Sequence, residues 1–287
     1  MTTSAEHASV LATCQQLGEN GFDVTYIDLN SSGHVVVDDV LSAIRSDTIL
    51  VSIHHVNNET GAIQPIEEIG KQLVRHPNVT FHVDHVQGLS KVPLDLHAAH
   101  IDLCTGSAHK VHGLKGTGFL YIRQGTKLSA LQHGGSQEFN LRTGTENVAG
   151  AVAFAKALRL SEEQFNVKSL DEIKEYALAE LERIDGVIIN SPKGGAPHII
   201  NFSVPTIKPE VIVQALAEKE IYVSTKSACS SKESEPSHVL RSMGLSRERT
   251  ISAIRVSLSY ETTKEEMKIF LEEFRKLIPS LMEVAKS

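Results

Sequence analysis

Tryptophan is absent from the 287 residues, and cysteine occurs only at Cys14, Cys104 and Cys229. Three widely spaced thiols indicate neither a disulfide framework nor a CxxC metal site, and they suit a reducing, cytoplasmic setting. Cys14 and Cys104 read as small apolar packing residues. Basic residues are in deficit, 28 Lys and Arg against 35 Asp and Glu, for a net charge of -7. That balance argues against direct binding to nucleic acid or anionic membranes. No apolar run approaches the ~20 residues that span a bilayer. The first residues, MTTSAEHASV, lack the basic start and apolar core of a secretory signal. Histidine is dense at His54, His55, His82, His85, His109 and His112. No pair follows HExxH or another zinc spacing, which speaks against a metal site. What remains is 41% apolar and 22% charged, the composition of an ordinary globular protein.

The first half alternates helices and strands. Helix is expected over Ala5–Leu17, stopped at Asn20-Gly21, then over Val37–Ile44, and through IEEIGKQLV with Pro65 as its first residue. Strands are expected at Phe22–Ile27, Thr48–Ile53, Val79–Asp84, Ile101–Thr105 and Gly118–Ile122. Such alternation predicts an α/β layered domain with a largely parallel sheet. An Ala-rich helix, Asn147–Leu160, bridges to a different pattern. There, strands at Gly186–Ile189, Pro197–Phe202, Ile221–Ser224 and Ala253–Leu258 mix with helices at Pro209–Glu218 and from Thr263. The expected division is therefore residues 1–165, a partial cofactor-binding domain, and 166–287, a smaller α+β domain.

Two segments carry chemistry. In FHVDHVQG, His82 and Asp84 share one face of a strand, and Asp84 stands at its C-terminal end, where ligands of open α/β sheets bind. An acid there holds a cationic ring nitrogen, although a strand-end Asp also caps turns. In SAHKVHGLKGTGFLYI, Lys110 follows a strand and precedes glycines. A buried Lys forms Schiff bases, whereas an isolated Lys is usually a solvated charge. GLKGTG lacks the GxxxxGK[ST] order of a nucleotide loop. Arg123 and Lys115 read as solvated or structural.

The segments DHVQ, SAHKVHGLKGTG, GGSQEFNLRTGTEN, SACSS with PSHVL, and IRVSLSYETTKEE occur in this order. Together they resemble the cysteine desulfurases, within the class V aminotransferases, over essentially the whole chain. The resemblance implies the fold type I architecture of pyridoxal-phosphate enzymes, aspartate-aminotransferase-like. It implies that Lys110 forms the Schiff base with pyridoxal 5'-phosphate and that Asp84 pairs with the pyridine nitrogen. Gln87 matches the residue at the ring hydroxyl, and His7 the catalytic imidazole that stacks on the ring. Asn58 matches a residue near ring hydroxyl and substrate, and Ser107 and His109 match phosphate contacts. Thr145 matches a residue that reaches the partner subunit's cofactor in a homodimer. Arg255 matches the grip on the substrate carboxylate, and Cys229 the sulfur acceptor. Near Cys229, the residues His238, Lys226 and Lys232 are candidates for favouring its thiolate.

The implied activity takes sulfur from L-cysteine to give L-alanine and a protein persulfide. That sulfur passes to an iron-sulfur scaffold or a tRNA-thiolating protein. The alternatives are a selenocysteine lyase or another class V aminotransferase, and a catalytically silent dimerisation or interaction module. Cys229 within SACSS favours desulfuration. Resembling proteins begin well before the EH of Glu6-His7, with a phosphate-holding motif close to SGATEAN; the expectation is of an N-terminally incomplete fold that binds its cofactor weakly.

Overall fold

Short apolar runs bounded by turns build the first sheet of this computed structural model, which describes residues 1–164, 167–225 and 236–286. Its strands are β1 (Thr2–Thr3), β2 (Tyr26–Ile27), β3 (Leu50–His54), β4 (Thr80–Asp84), β5 (Leu103–Ser107) and β6 (Gly118–Ile122). They lie in the order β2-β1-β3-β4-β5-β6. β6 runs antiparallel to β5 and every other pairing is parallel. Three helices make the crossovers: α1 (Ala8–Glu19), α2 (Val37–Ser42) and α3 (Ile66–Leu73). The largely parallel sheet expected from the sequence is the one observed.

Alternation sets which face each residue takes. On β4, Phe81 and Val83 are buried while His82 and Asp84 are half-buried on the other face. Val51, Ile53, Phe81, Val83 and Cys104 meet Ile66, Ile69 and Leu73 of α3 in the first core. α3 lies close against the chain that leads into β5. A Cβ on Gly70 would stand 1.8 Å from the carbonyl oxygen of Ala99, so only glycine fits there. Pro65 occupies the N-cap, one residue ahead of its expected place, with Glu67 and Glu68 in the first turn.

The second half starts with α4 (Val148–Gln164) and α5 (Val167–Leu181). It forms an antiparallel sheet of β7 (Ile188–Ile189), β8 (Ile199–Ser203), β9 (Ser224–Thr225) and β10 (Ala253–Ser257), in the order β7-β8-β10-β9. Helices α6 (Pro209–Ala217), α7 (His238–Ser242), α8 (Arg247–Ile251) and α9 (Lys264–Lys286) complete it. A second core gathers Ile200, Phe202, Ile212, Leu216, Ile254 and Phe274. Phe202 meets Phe274 edge-on at 5.2 Å, a geometry that adds about 0.5–1.5 kcal/mol beyond area burial. Among the described residues, no helix is long and apolar enough to cross a membrane.

Several expectations change. The strand expected at Phe22–Ile27 shrinks to Tyr26–Ile27, with Phe22 52% exposed. The strand expected at Ile221–Ser224 becomes Ser224–Thr225. β1 has two residues and no periodicity to betray it, yet it lies between β2 and β3. α7 and α8 were not expected. α7 begins at Ser237, whose hydroxyl accepts from Leu240 N at 3.1 Å. Its Val239 and Leu240 join the core under the first sheet, so the C-terminal part crosses back to the first layer.

Candidate functional site

The turn that follows β3 joins the two layers. The Asn57 side chain accepts from Glu59 N at 2.9 Å and Thr60 N at 3.0 Å, which curls the chain and turns successive carbonyls outward. Four of them are taken from the second layer. Arg255 Nη1 donates to Asn58 O at 3.0 Å, and Asn201 Nδ2 to Glu59 O at 3.0 Å. Ser191 Oγ donates to Thr60 O at 2.7 Å, and Ala196 N to Gly61 O at 2.7 Å. Ser237 Oγ donates to the buried Glu59 carboxylate at 2.5 Å. Asn58 and Arg255 are thus brought together, Arg255 from β10 and Asn58 from the turn.

The C-terminal ends of β3, β4 and β5 lie side by side, with His54, Asp84 and Thr105 in register. Asp84 Oδ1 accepts from Val86 N at 2.9 Å. Burial pushes its carboxyl upward and nearby Glu6 adds to that, while the Val86 amide, His54 and His82 oppose it. A desolvated carboxylate beside a second acid suits a cationic partner such as a protonated ring nitrogen. Gln87 is half-buried, and its side chain makes no hydrogen bond among the described residues.

Lys110 sits in a 3-10 turn, Ala108–Val111, directly after β5. His112 closes that turn in the left-handed region. Lys91 Nζ donates to Lys110 O at 2.8 Å. At the start of the turn, Ser107 Oγ and His109 Nδ1 stand 2.8 Å apart. Burial lowers the His109 imidazole, followed by the charges of Lys110, Lys115 and His7, so His7 and Lys110 are brought near His109. His7 caps α1: Ser9 N donates to its Nδ1 at 3.2 Å. Thr145 is exposed and makes no hydrogen bond among the described residues. Cys229 lies outside the described residues, as do Lys226 and Lys232. His238 is turned to Glu6, with Nε2 2.9 Å from its carbonyl oxygen.

Sequence reasoning missed a layer of polar residues behind these groups. Glu6 Oε1 accepts from Thr3 Oγ1 at 2.7 Å, His54 N at 3.0 Å and His54 Nδ1 at 2.8 Å. Burial opposes charge on His54, but the Glu6 carboxylate overcomes it and the imidazole is raised. His55 and His85 touch Nδ1 to Nδ1 at 2.9 Å. Burial lowers them to about 3 and about 4, so both rings are neutral. His198 is buried, with both ring nitrogens lacking a partner among the described residues. Burial and the charges of Lys91, Lys174, Lys110 and Arg255 hold it neutral. Both Arg255 and Lys110 thus act electrostatically on the one buried imidazole. Only the EH pair hinted at any of this, because histidines carry no periodic signal. Among the described residues, no three His, Cys, Asp or Glu side chains group as metal ligands. Cys104 is buried, and desolvation pushes its thiol up to about 12.

Residues 1–270 match the family model for class-V aminotransferases. The chain is 41% identical over 289 residues to the cysteine desulfurase IscS of Dictyoglomus turgidum, covering 99% of this chain and 73% of that one. It is 40% identical over 291 residues to the cysteine desulfurase IscS of Clostridium botulinum, with the same coverage. Among solved structures, a NifS-like protein superposes with a TM-score of 0.89 at 35% identity, over 98% of this chain and 74% of that one.

Proposed function

Because the chain belongs to the class-V aminotransferases, in their cysteine desulfurase branch, we propose that the cleft between its two sheets converts L-cysteine to L-alanine and hands the sulfur to Cys229. One observation carries the reading of the site. Arg255 reaches from β10 to the Asn58 carbonyl at 3.0 Å, and His198 feels both Arg255 and Lys110. In this reading the carboxylate clamp and the reactive amine lie on either side of His198.

The residues present fit pyridoxal 5'-phosphate. The desolvated Asp84 carboxylate suits the pyridine nitrogen, and Gln87 offers its unused amide to the ring hydroxyl. Lys110 would hold the cofactor covalently, His7 would cover the ring, and Ser107 with His109 would face the phosphate. When bound, the cofactor supplies an electron sink for the substrate Cα. The residues do the rest. Arg255 fixes the substrate carboxylate through its planar fork, and Asn58 borders it. Lys110, as a neutral amine, moves the Cα proton. The Cys229 thiolate attacks the substrate sulfur and breaks its bond to Cβ, leaving a persulfide and, after protonation, alanine.

Residues 1–165 form the cofactor-binding part in this reading, and 166–287 the smaller domain that carries Cys229. A second copy of the chain completes the site. The segment bearing Thr145 exposes Leu131 at 96% and Phe139 at 91%, and α4 adds Val148 at 66%. Glu138, Phe139 and Asn140 all take positive φ, an unusual run for side chains facing water alone. The persulfide would leave, in the cytoplasm, for an iron-sulfur scaffold or a tRNA-thiolating protein.

The test is to add pyridoxal phosphate, follow the visible spectrum, reduce with borohydride and map the modified peptide. Modification at Lys110, absent in Lys110→Ala, together with alanine formed from cysteine, is the expected result. Modification at Lys115 with Lys110 untouched would overturn the assignment.

A further inference from the structure

The first layer holds a cavity that the chemistry above does not use. Its volume is about 520 Å³, the size of a small-molecule site, and it lies between the start of α3 and the segment that leads into β5. Pro65, Pro93 and Leu94 give it apolar walls, and Glu68 and Asp95 stand among them. The N-terminal dipole of α3 accounts for Glu67 and Glu68, which lie in its first turn. It does not account for Asp95, which comes from the other segment. Lys71 is taken by Glu67, Nζ to Oε1 at 2.6 Å. Among the described residues, Glu68 and Asp95 form no ion pair.

His55 lines the same cavity and is only 4% exposed. Its Nδ1 edge is closed. His85 Nδ1 faces it at 2.9 Å, and Gly88 passes beside both rings. A Cβ on Gly88 would stand 2.7 Å from His55 Nδ1 and 2.6 Å from His85 Nδ1. Two neutral rings facing in this way share one N–H, and either ring can donate it. His55 therefore presents Nε2, on its other edge, either as a bare acceptor or as an N–H. Among the described residues Nε2 makes no hydrogen bond, yet it is not sealed from solvent. The small opening that His55 keeps is into the cavity it lines. Gln64, buried in the same lining, is already engaged by Val35 N at 2.7 Å and Gly33 O at 2.9 Å. A ring nitrogen buried to this degree without a partner is unfavourable, and a ligand group that bonds it removes the penalty.

We propose that this cavity binds a small organic cation of the amino-alcohol class. Its ammonium lies between Glu68 and Asp95, its carbon chain packs on Pro65, Pro93 and Leu94, and its hydroxyl bonds His55 Nε2. A hydroxyl both donates and accepts, so it serves either form of the ring. Among the described residues, the acids and His55 do not group as metal ligands, so the cation is organic. An anion meets two uncompensated carboxylates, and an uncharged molecule leaves both of them unanswered. The site does not depend on the roles proposed for Lys110, Arg255 or Cys229.

The probe is aminopentanol, titrated into the full chain carrying isotope-labelled histidine. The ring-nitrogen NMR signals of His55, assigned by their loss in His55→Gln, should move and saturate. Uncharged pentanol should bind roughly tenfold more weakly, the ratio for two exposed ion pairs of up to about 1 kcal/mol each. Hydroxypentanoate, with the charge reversed, should leave the signals unmoved. Glu68→Gln combined with Asp95→Asn should bring aminopentanol down to the level of pentanol. The Asn oxygen still accepts from His97 N and Ala98 N, which Asp95 Oδ1 holds at 2.9 and 3.0 Å, and circular dichroism checks the fold. If the pair disturbs the fold, Glu68→Gln alone takes its place, with a loss of about threefold. Pentanol binding as tightly as aminopentanol, undiminished binding to the folded variant, or unmoved His55 signals overturns the proposal.

Discussion

Replacing Glu6 by Gln tests whether the buried Glu6–His54 pair is a charged unit. Oε1 takes hydrogen bonds from Thr3 Oγ1, His54 N and His54 Nδ1, all within 3.0 Å. The other oxygen, Oε2, is buried with no partner among the described residues. An amide nitrogen placed there finds no acceptor, and a flipped amide faces three donors with a fourth. Bonds to a charged group contribute about 1.5–3 kcal/mol each, roughly twice those to a neutral one. Glu6→Gln should therefore cost about 2–4 kcal/mol, below the roughly 3–5 kcal/mol expected for removing one partner of a buried pair outright. The cost should depend on pH. In the native protein Glu6 raises His54 above its ordinary value of about 6.5. The stabilisation this gives is complete below the unfolded value and is lost as pH rises through the folded one. Without the carboxylate, burial dominates and lowers His54, so the variant gains stability as pH leaves the acid range. Urea unfolding of both proteins, followed by circular dichroism at about pH 6, 7.5 and 9, should show the deficit largest at the lowest pH and shrinking upward. A deficit equal at all three would refute a charged pair.

Arg255→Lys should raise the KM for cysteine about ten- to a hundredfold, with a smaller change in kcat, because it removes one or two hydrogen bonds to the substrate carboxylate worth about 1.5–3 kcal/mol. Steady-state alanine release measures this, and an unchanged KM with a collapsed kcat would contradict a substrate clamp. Iodoacetamide at neutral pH should modify Cys229 first and leave Cys104 untouched in the folded chain, since burial raises the Cys104 thiol to about 12. Mass spectrometry showing Cys104 modified as fast as Cys229 would argue against that order.

Much of the first sheet was legible because its strands are apolar, bounded by turns, and alternate in burial. Gly118–Ile122 appears as read, and Thr80–Asp84 differs by one residue from Val79–Asp84. That Asp84 stands at the C-terminal end of a parallel strand was legible from the apolar run before it. Lys110 alone reads like any lysine, and only the ordered motifs around it single it out. What surrounds these two was not legible, because it depends on residues distant in the chain. Lys91 meets Lys110 across 19 residues, Glu6 meets His54 across 48, and Arg255 meets Asn58 across 197.

The joint between the layers is the extreme case. At positions 58–61 the groups that bind Arg255, Asn201, Ser191 and Ala196 are backbone carbonyls, which every residue possesses. What the side chains supply is shape. Asn57 turns the chain by accepting from Glu59 N and Thr60 N, and Gly61 takes φ 76° at the end of the turn. Asn57 therefore acts on Arg255 without touching it, by presenting the Asn58 carbonyl to the guanidinium. Arg255, the proposed substrate clamp, is held from the first layer although its side chain belongs to the second, so the two sheets must pack correctly before its guanidinium is placed.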